Sequence, residues 1–154
     1  MTLLEKGIKA PDFKGFNQDS RLISLSDFKG KKLILYFYPK DNTSGCTAES
    51  CNMSDNYSAW LKKGYEVVGV SPDSVASHKK FAEKHGFKFN LIADPEHTIL
   101  EAYAVWAEKS MYGRKYMGVL RTTYIIDENG IISDVFAKVK TSEHSDQILK
   151  SIEK

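Results

Sequence analysis

A continuous apolar run, Lys32 to Tyr38 (KLILYFY), is closed by Pro39. Apolar positions without alternation predict a strand buried on both faces of a helix-covered sheet. Glu66 to Val70 (EVVGV) and Phe89 to Ala93 (FNLIA) repeat the pattern. Between these strands the spacing turns helical. Ser44 to Lys63 stops before Gly64, and Val75 to His85 stops before Gly86. Glycine just past the last helical residue is a common C-cap. A shorter helix is expected after Asp94–Pro95. Strand alternating with helix predicts parallel βαβ units. Further on, Val119 to Asp127 (VLRTTYIID) and Ile131 to Phe136 flank Glu128-Asn129-Gly130. Asn–Gly between apolar runs predicts a hairpin. Ser142 to Glu153 reads as a closing helix.

A βαβ half, then a hairpin, then a terminal helix is the order of the thioredoxin fold. That is an α/β fold with a central mixed β-sheet flanked by helices. The first forty residues form an N-terminal extension, with a small hairpin expected around Asp19–Ser20. No repeat, low-complexity tract or linker divides residues 1–154, so one domain is expected.

Composition narrows the function. The 154 residues are 42% apolar and 27% charged, with a net charge of +2. A chain of that length can bury its own core. The small charge argues against a nucleic-acid partner. No apolar run approaches the roughly 18–20 residues of a membrane span. Met1 to Pro11 carries Glu5, Lys6 and Lys9 and no signal-like stretch. A cytoplasmic protein is expected, and there two cysteines make a poor structural staple. Two thiolates also fall short of an all-cysteine zinc site. His78, His85, His97 and His144 show no ligand spacing, and a surface position is expected for His78 and His85. Lys109, Arg114 and Lys115 read as a solvated loop able to help dock a reductant. Tyr112 and Tyr116 read as exposed aromatics.

Cys46 carries the candidate chemistry. It follows the first buried strand and sits near a helix start, where unpaired N–H groups and the dipole favour a thiolate. A cysteine so placed is a reactive nucleophile or a small buried hydrophobe, and position alone leaves both open. At about 100° per residue, Met53, Tyr57 and Trp60 lie within roughly 40° of Cys46, on the core stripe. Cys51 lies about 140° away, with Asp55, Ser58 and Lys62 on the polar face. In an intact helix their Cα atoms would be about 8.7 Å apart, beyond the roughly 4.4–6.8 Å of a disulfide. The two can bond only if the first turns unwind. Such a pair suits a cycle in which Cys46 becomes a sulfenic acid and Cys51 then reaches it. Arg121, in an apolar strand, is either at an exposed end or aimed at the thiolate. Glu49 could orient Arg121 or serve only as a first-turn acid. Thr43 is a peroxide donor or a helix N-cap. Pro39 ends the strand and could shield the thiol. The N–H groups near Gly45 and Cys46 could stabilise a leaving oxygen.

Pro39-x-x-x-Thr43-x-x-Cys46 resembles the peroxiredoxin active-site motif. Tyr36 to Glu49 (YFYPKDNTSGCTAE), the five-residue step to Cys51, Ala10 to Phe13, Gly69 to Asp73 and the Arg121 segment resemble the bacterioferritin comigratory protein (PrxQ) subfamily. The resemblance implies a thiol-specific peroxidase that reduces hydrogen peroxide and organic hydroperoxides without metal, haem or flavin. It implies Cys46 as peroxidatic cysteine and Cys51 as resolving cysteine. Pro39, Thr43 and Arg121 complete the implied site. It also implies recycling by thioredoxin or a similar dithiol, and a monomer, with a dimer as the alternative. Ser44 departs from the pattern, since many relatives have proline there. A less rigid loop is expected, affecting helix opening more than chemistry. Two other functions fit the cysteines: a thioredoxin-type oxidoreductase, though four residues rather than two separate them, and a non-catalytic redox clasp.

Overall fold

A computed structural model describes residues 3–153. Residues 1 and 2, the start of the stretch read for a leader, lie outside it, as does residue 154. The strands are β1 (Lys14–Phe16), β2 (Leu22–Ser24), β3 (Lys32–Phe37), β4 (Tyr65–Ser71), β5 (Asn90–Ala93), β6 (Trp106–Met111), β7 (Arg114–Val119), β8 (Thr122–Ile126) and β9 (Ile132–Phe136). The helices are α1 (Ser44–Asp55), α2 (Tyr57–Lys62), α3 (Val75–His85), α4 (Thr98–Ala102) and α5 (His144–Ile152). Seven strands form one mixed sheet in the order β2-β1-β5-β4-β3-β8-β9. β3 runs parallel to β4, and β4 to β5, while β8 lies antiparallel to β3. This is the expected thioredoxin arrangement, with the β1–β2 hairpin of the extension added at the β5 edge.

The apolar run of β3 is buried on both faces because side chains alternate across a strand. Leu33, Leu35 and Phe37 join one core with Val68, Ile92, Leu100 and Tyr124. Ile34, Tyr36 and Tyr38 join the other with Cys46, Met53, Trp60, Phe81 and Ile148. The second core lies under α1, α2, α3 and α5, so Cys46 belongs to it. Tyr38 still donates to the Val70 carbonyl at 3.1 Å. Pro39 has no N–H to give, and pairing stops there.

Three expectations need correction. The helix expected over Ser44 to Lys63 is two helices divided at Asn56. The Asn56 side chain donates to the Asn52 carbonyl at 2.8 Å, the local bonding by which asparagine ends helices. The strand expected over Val119 to Asp127 is also broken: Val119 closes β7, β8 starts at Thr122, and Arg121 sits in the connection. Leu120 N–H bonds to the Val105 carbonyl at 2.7 Å, which draws the chain away from the ladder. Finally, Lys109, Arg114 and Lys115 lie on the separate hairpin β6–β7, not in a loop. Its turn, Tyr112–Gly113, has positive φ at both residues (52° and 77°). That suits a two-residue hairpin but lacks the usual Asn–Gly. Among the described residues, no helix is long and apolar enough to cross a membrane.

Candidate active site

The chain leaves β3 at the carboxyl end of the sheet, where α/β folds collect their ligands. Asn42 takes a left-handed φ of 63°, which asparagine tolerates better than most residues. That turn delivers Thr43 to the N-cap of α1. Cys46 is the third residue of α1, where backbone N–H groups lack partners in the helix. Its side chain is buried.

Arg121 reaches Cys46 from the connection before β8. One guanidinium nitrogen, Nη2, donates to Cys46 Sγ at 3.1 Å. The other, Nη1, donates to Glu49 Oε1 at 2.7 Å. The planar fork therefore meets sulfur and carboxylate through two separate nitrogens held in one plane. Gly45 makes room for it: a Cβ there would stand 3.3 Å from Nη2. Glu49 is fully buried and Arg121 keeps about a quarter of its side chain exposed (0% and 24%). Burial pushes the Glu49 carboxyl up to about 7, against the charge and hydrogen bond of Arg121. Glu49 Oε2 has no hydrogen-bond partner.

Behind Glu49 stands His144, which the sequence left unassigned. It is fully buried, with Nε2 3.9 Å from Glu49 Oε2. Burial pushes its pKa down to about 4; the Gln147 bond opposes this and the Arg121 charge adds to it. The ring is therefore neutral near neutrality. Nδ1 faces Gln147 Oε1 at 2.9 Å, an oxygen that can only accept. So Nδ1 carries the proton and Nε2 accepts from the Thr123 hydroxyl at 2.7 Å.

The other expected residues are placed as follows. Thr43 is the N-cap by backbone, but its hydroxyl makes no cap bond and donates to the Lys40 carbonyl at 2.8 Å. Pro39 is half-buried at the mouth of the loop. Cys51 is not on a solvated face: it is half-buried against the aromatic core, with Sγ 3.7 Å from His85 Nδ1. Both cysteines are free thiols, held in an unbroken α1.

His78 is not at the surface either. It is fully buried, its Nδ1 2.8 Å from Asp41 Oδ2 and its Nε2 3.1 Å from the Ile92 carbonyl. Asp41 also accepts from the Tyr38 and Ser77 hydroxyls, and its N–H bonds to Asp73. Burial alone would raise the Asp41 carboxyl; the His78, Tyr38 and Ser77 bonds outweigh it and hold the group low. Asp41, Asp73 and His78 bring ligand-type atoms within 4.8 Å of one another. They use those atoms on each other and on their neighbours, pinning the loop between β3 and α1 to α3. No residue spacing along the chain reveals this set, because it joins the ends of two strands and a helix.

Residues 7–135 match the model of the AhpC/TSA family. Peroxiredoxin Bcp of Bacillus subtilis is 42% identical over 97% of this chain and 95% of its own length. Peroxiredoxin Bcp of Escherichia coli is 40% identical over 97% and 96%. Among solved structures, a cysteine-to-serine mutant of PrxQ from Xylella fastidiosa superposes with a TM-score of 0.92, at 30% identity over 99% of this chain and 98% of that one. The bacterioferritin comigratory protein of Xanthomonas campestris, described for its alkyl peroxide reduction, gives 0.86 at 33% identity over 92% and 90%. The likeness runs through the sheet and helices that hold the buried cysteine and its arginine and covers nearly the whole chain, which belongs to the AhpC/TSA family as a peroxiredoxin of the Bcp/PrxQ kind, a thiol peroxidase.

Proposed function

We propose that Cys46 is the peroxidatic cysteine and Cys51 the resolving cysteine of a cycle that reduces hydrogen peroxide and organic hydroperoxides. One contact carries the reading: Arg121 Nη2 donates to Cys46 Sγ at 3.1 Å while Glu49 holds Nη1. A fixed guanidinium beside the sulfur sets a charged donor where the peroxide and its leaving oxygen must bind.

The Cys46 thiolate attacks one peroxide oxygen and the O–O bond breaks. Negative charge grows on the leaving oxygen. Arg121 and the N–H groups of Gly45 and Cys46 are the donors that receive it, an oxyanion-hole effect. The Thr43 hydroxyl joins them by turning from the Lys40 carbonyl. Pro39 screens the thiol from water. The leaving oxygen takes a proton and departs as water or alcohol, and Cys46 is left as a sulfenic acid. The first turns of α1 then unwind, Cys51 attacks Cys46 Sγ, and water leaves as the disulfide forms. An external dithiol of thioredoxin type opens that disulfide through a mixed disulfide. The same reading assigns the enzyme to the cytoplasm, supported by two free thiols and no structural disulfide among the described residues.

Stopped-flow oxidation tests the cycle, with hydrogen peroxide and with a bulky organic hydroperoxide. Cys46→Ser should abolish peroxide consumption. Cys51→Ser should keep one rapid turnover and then stall when thioredoxin is the only reductant. Full steady-state turnover by Cys51→Ser would remove Cys51 from the cycle.

A further inference from the structure

His85 ends α3, and Gly86 behind it takes the left-handed C-cap at φ 71°. Its ring lies against Phe87, nearly parallel, with centroids 5.3 Å apart. It meets Phe81 edge-on at 5.2 Å. Two aromatic rings thus fix the plane of the imidazole, and Nδ1 faces Cys51 Sγ at 3.7 Å. The opposite nitrogen, Nε2, is buried and has no hydrogen-bond partner among the described residues. An imidazole held by packing, with one nitrogen on a thiol, has the geometry of a base paired with a sulfur nucleophile.

We infer that His85 is the general base of the resolving step, taking the proton from Cys51 so that it attacks as a thiolate. The inference rests on the reading of Cys51 as the resolving cysteine. The need for a base is physical. Burial, and then the charge of Asp55, push the Cys51 thiol up from its ordinary value. Such a thiol stays protonated at neutral pH, and only the thiolate attacks. Among the described residues, no arginine or lysine bonds the Cys51 sulfur as Arg121 bonds that of Cys46.

The step balances within the protein. Nδ1 takes the proton from Cys51 Sγ while α1 is still folded and the pair still shares one site. As α1 unwinds, the thiolate leaves the imidazolium and attacks Cys46 Sγ. The S–S bond forms, the S–O bond of the sulfenic acid breaks, and its electron pair leaves with oxygen. That oxygen takes a proton from solvent, and the imidazolium returns its own to solvent. The sum is sulfenic acid plus thiol giving disulfide plus water, with no outside oxidant.

Two experiments test this. In a Cys46→Ser background Cys51 is the one thiol left, and its alkylation by iodoacetamide reads its reactivity directly. Adding His85→Ala should slow alkylation roughly 10²-fold, the usual reach of a positioned base, and free imidazole should restore part of the rate. In the enzyme with both cysteines, single-turnover oxidation should show the loss in the second phase, disulfide formation. His85→Phe keeps the aromatic packing without a base; it should be as slow and should resist rescue by imidazole. Unchanged alkylation in His85→Ala, or a wild-type second phase in His85→Phe, overturns the role of His85. If that happens while Cys51→Ser still abolishes the second phase, the reading of Cys51 stands. A second phase that survives in Cys51→Ser overturns both.

Discussion

Arg121 holds a geometry that a like charge does not reproduce. Its fork bonds Cys46 Sγ and Glu49 Oε1 through two different nitrogens. A lysine is a single point charge on a flexible stem and lacks that rigid two-nitrogen fork. We expect Arg121→Lys to lose roughly 10²-fold in the rate of Cys46 oxidation, the effect of removing one charge-stabilising donor. Single-turnover oxidation at several peroxide concentrations would measure it, and an unchanged rate would show that the sulfur needs only a nearby positive charge. Arg121 was legible as an odd arginine in an apolar segment. His144, on the far side of Glu49, was not: one histidine at the start of a terminal helix carries no signal until the fold sets it there.

At the scale of elements, α1 holds both cysteines, and the proposed cycle requires it to open between its two halves. Its start sets how readily it does so. Ser44 is the first helical residue, where proline is favoured because its missing N–H is unpaired anyway. Thr43 ahead of it has φ −83° and ψ 152°, the extended conformation that a residue before proline prefers. Ser44→Pro should therefore fit without strain and stabilise the fold by about 0.4–1 kcal/mol through the unfolded chain. By stiffening the first turn it should slow disulfide formation and leave Cys46 open longer to overoxidation by excess peroxide. Denaturant melts and mass spectrometry of overoxidised Cys46 would check both; a faster second phase would refute the idea that the first turn controls opening. Farther along, Asn52 donates to the Ser142 carbonyl and accepts from Ser145 N–H. Those bonds tie α1, just past Cys51, to α5 and the turn before it, so unwinding is opposed beyond the second cysteine.

For the molecule as a whole, the buried acid and the buried histidine beside it have opposite pH signatures. The Glu49 carboxyl is raised from 4.5 to about 7. The fold therefore holds that proton more tightly than the unfolded chain, and this contribution to stability is lost as pH rises through about 7. His144 is lowered from 6.5 to about 4. The unfolded chain takes that proton first, so stability falls as pH drops from 6.5 toward 4. In the wild type the two trends oppose each other across the same window. Glu49→Gln removes one of them, so its denaturation midpoint should fall with acid between pH 6.5 and 4 more steeply than that of the wild type. Parallel midpoint curves for the two proteins would contradict this pairing.

The chain by itself determined the elements with strong periodicity and the residues with rare chemistry. The run at β3, α3 ending at Gly86, the hairpin at Asn129–Gly130 and the motif from Pro39 to Cys46 could all be read from local pattern, because a strand's burial, a glycine cap and a reactive thiol each leave a mark within a few residues. The tertiary structure alone decided what stands opposite them. Asn56 broke one helix and Leu120 one strand through bonds that periodicity does not encode. The β6–β7 hairpin stayed hidden because its strands are largely solvent-exposed and its turn is Tyr–Gly. His78 and His144 became buried partners of Asp41 and Glu49, and His85 a half-buried partner of Cys51, only because separate elements converge on one face of the sheet. A histidine's role is set by the atom it faces, and that atom lies dozens of residues away along the chain for His78 and His85 and on another helix for His144.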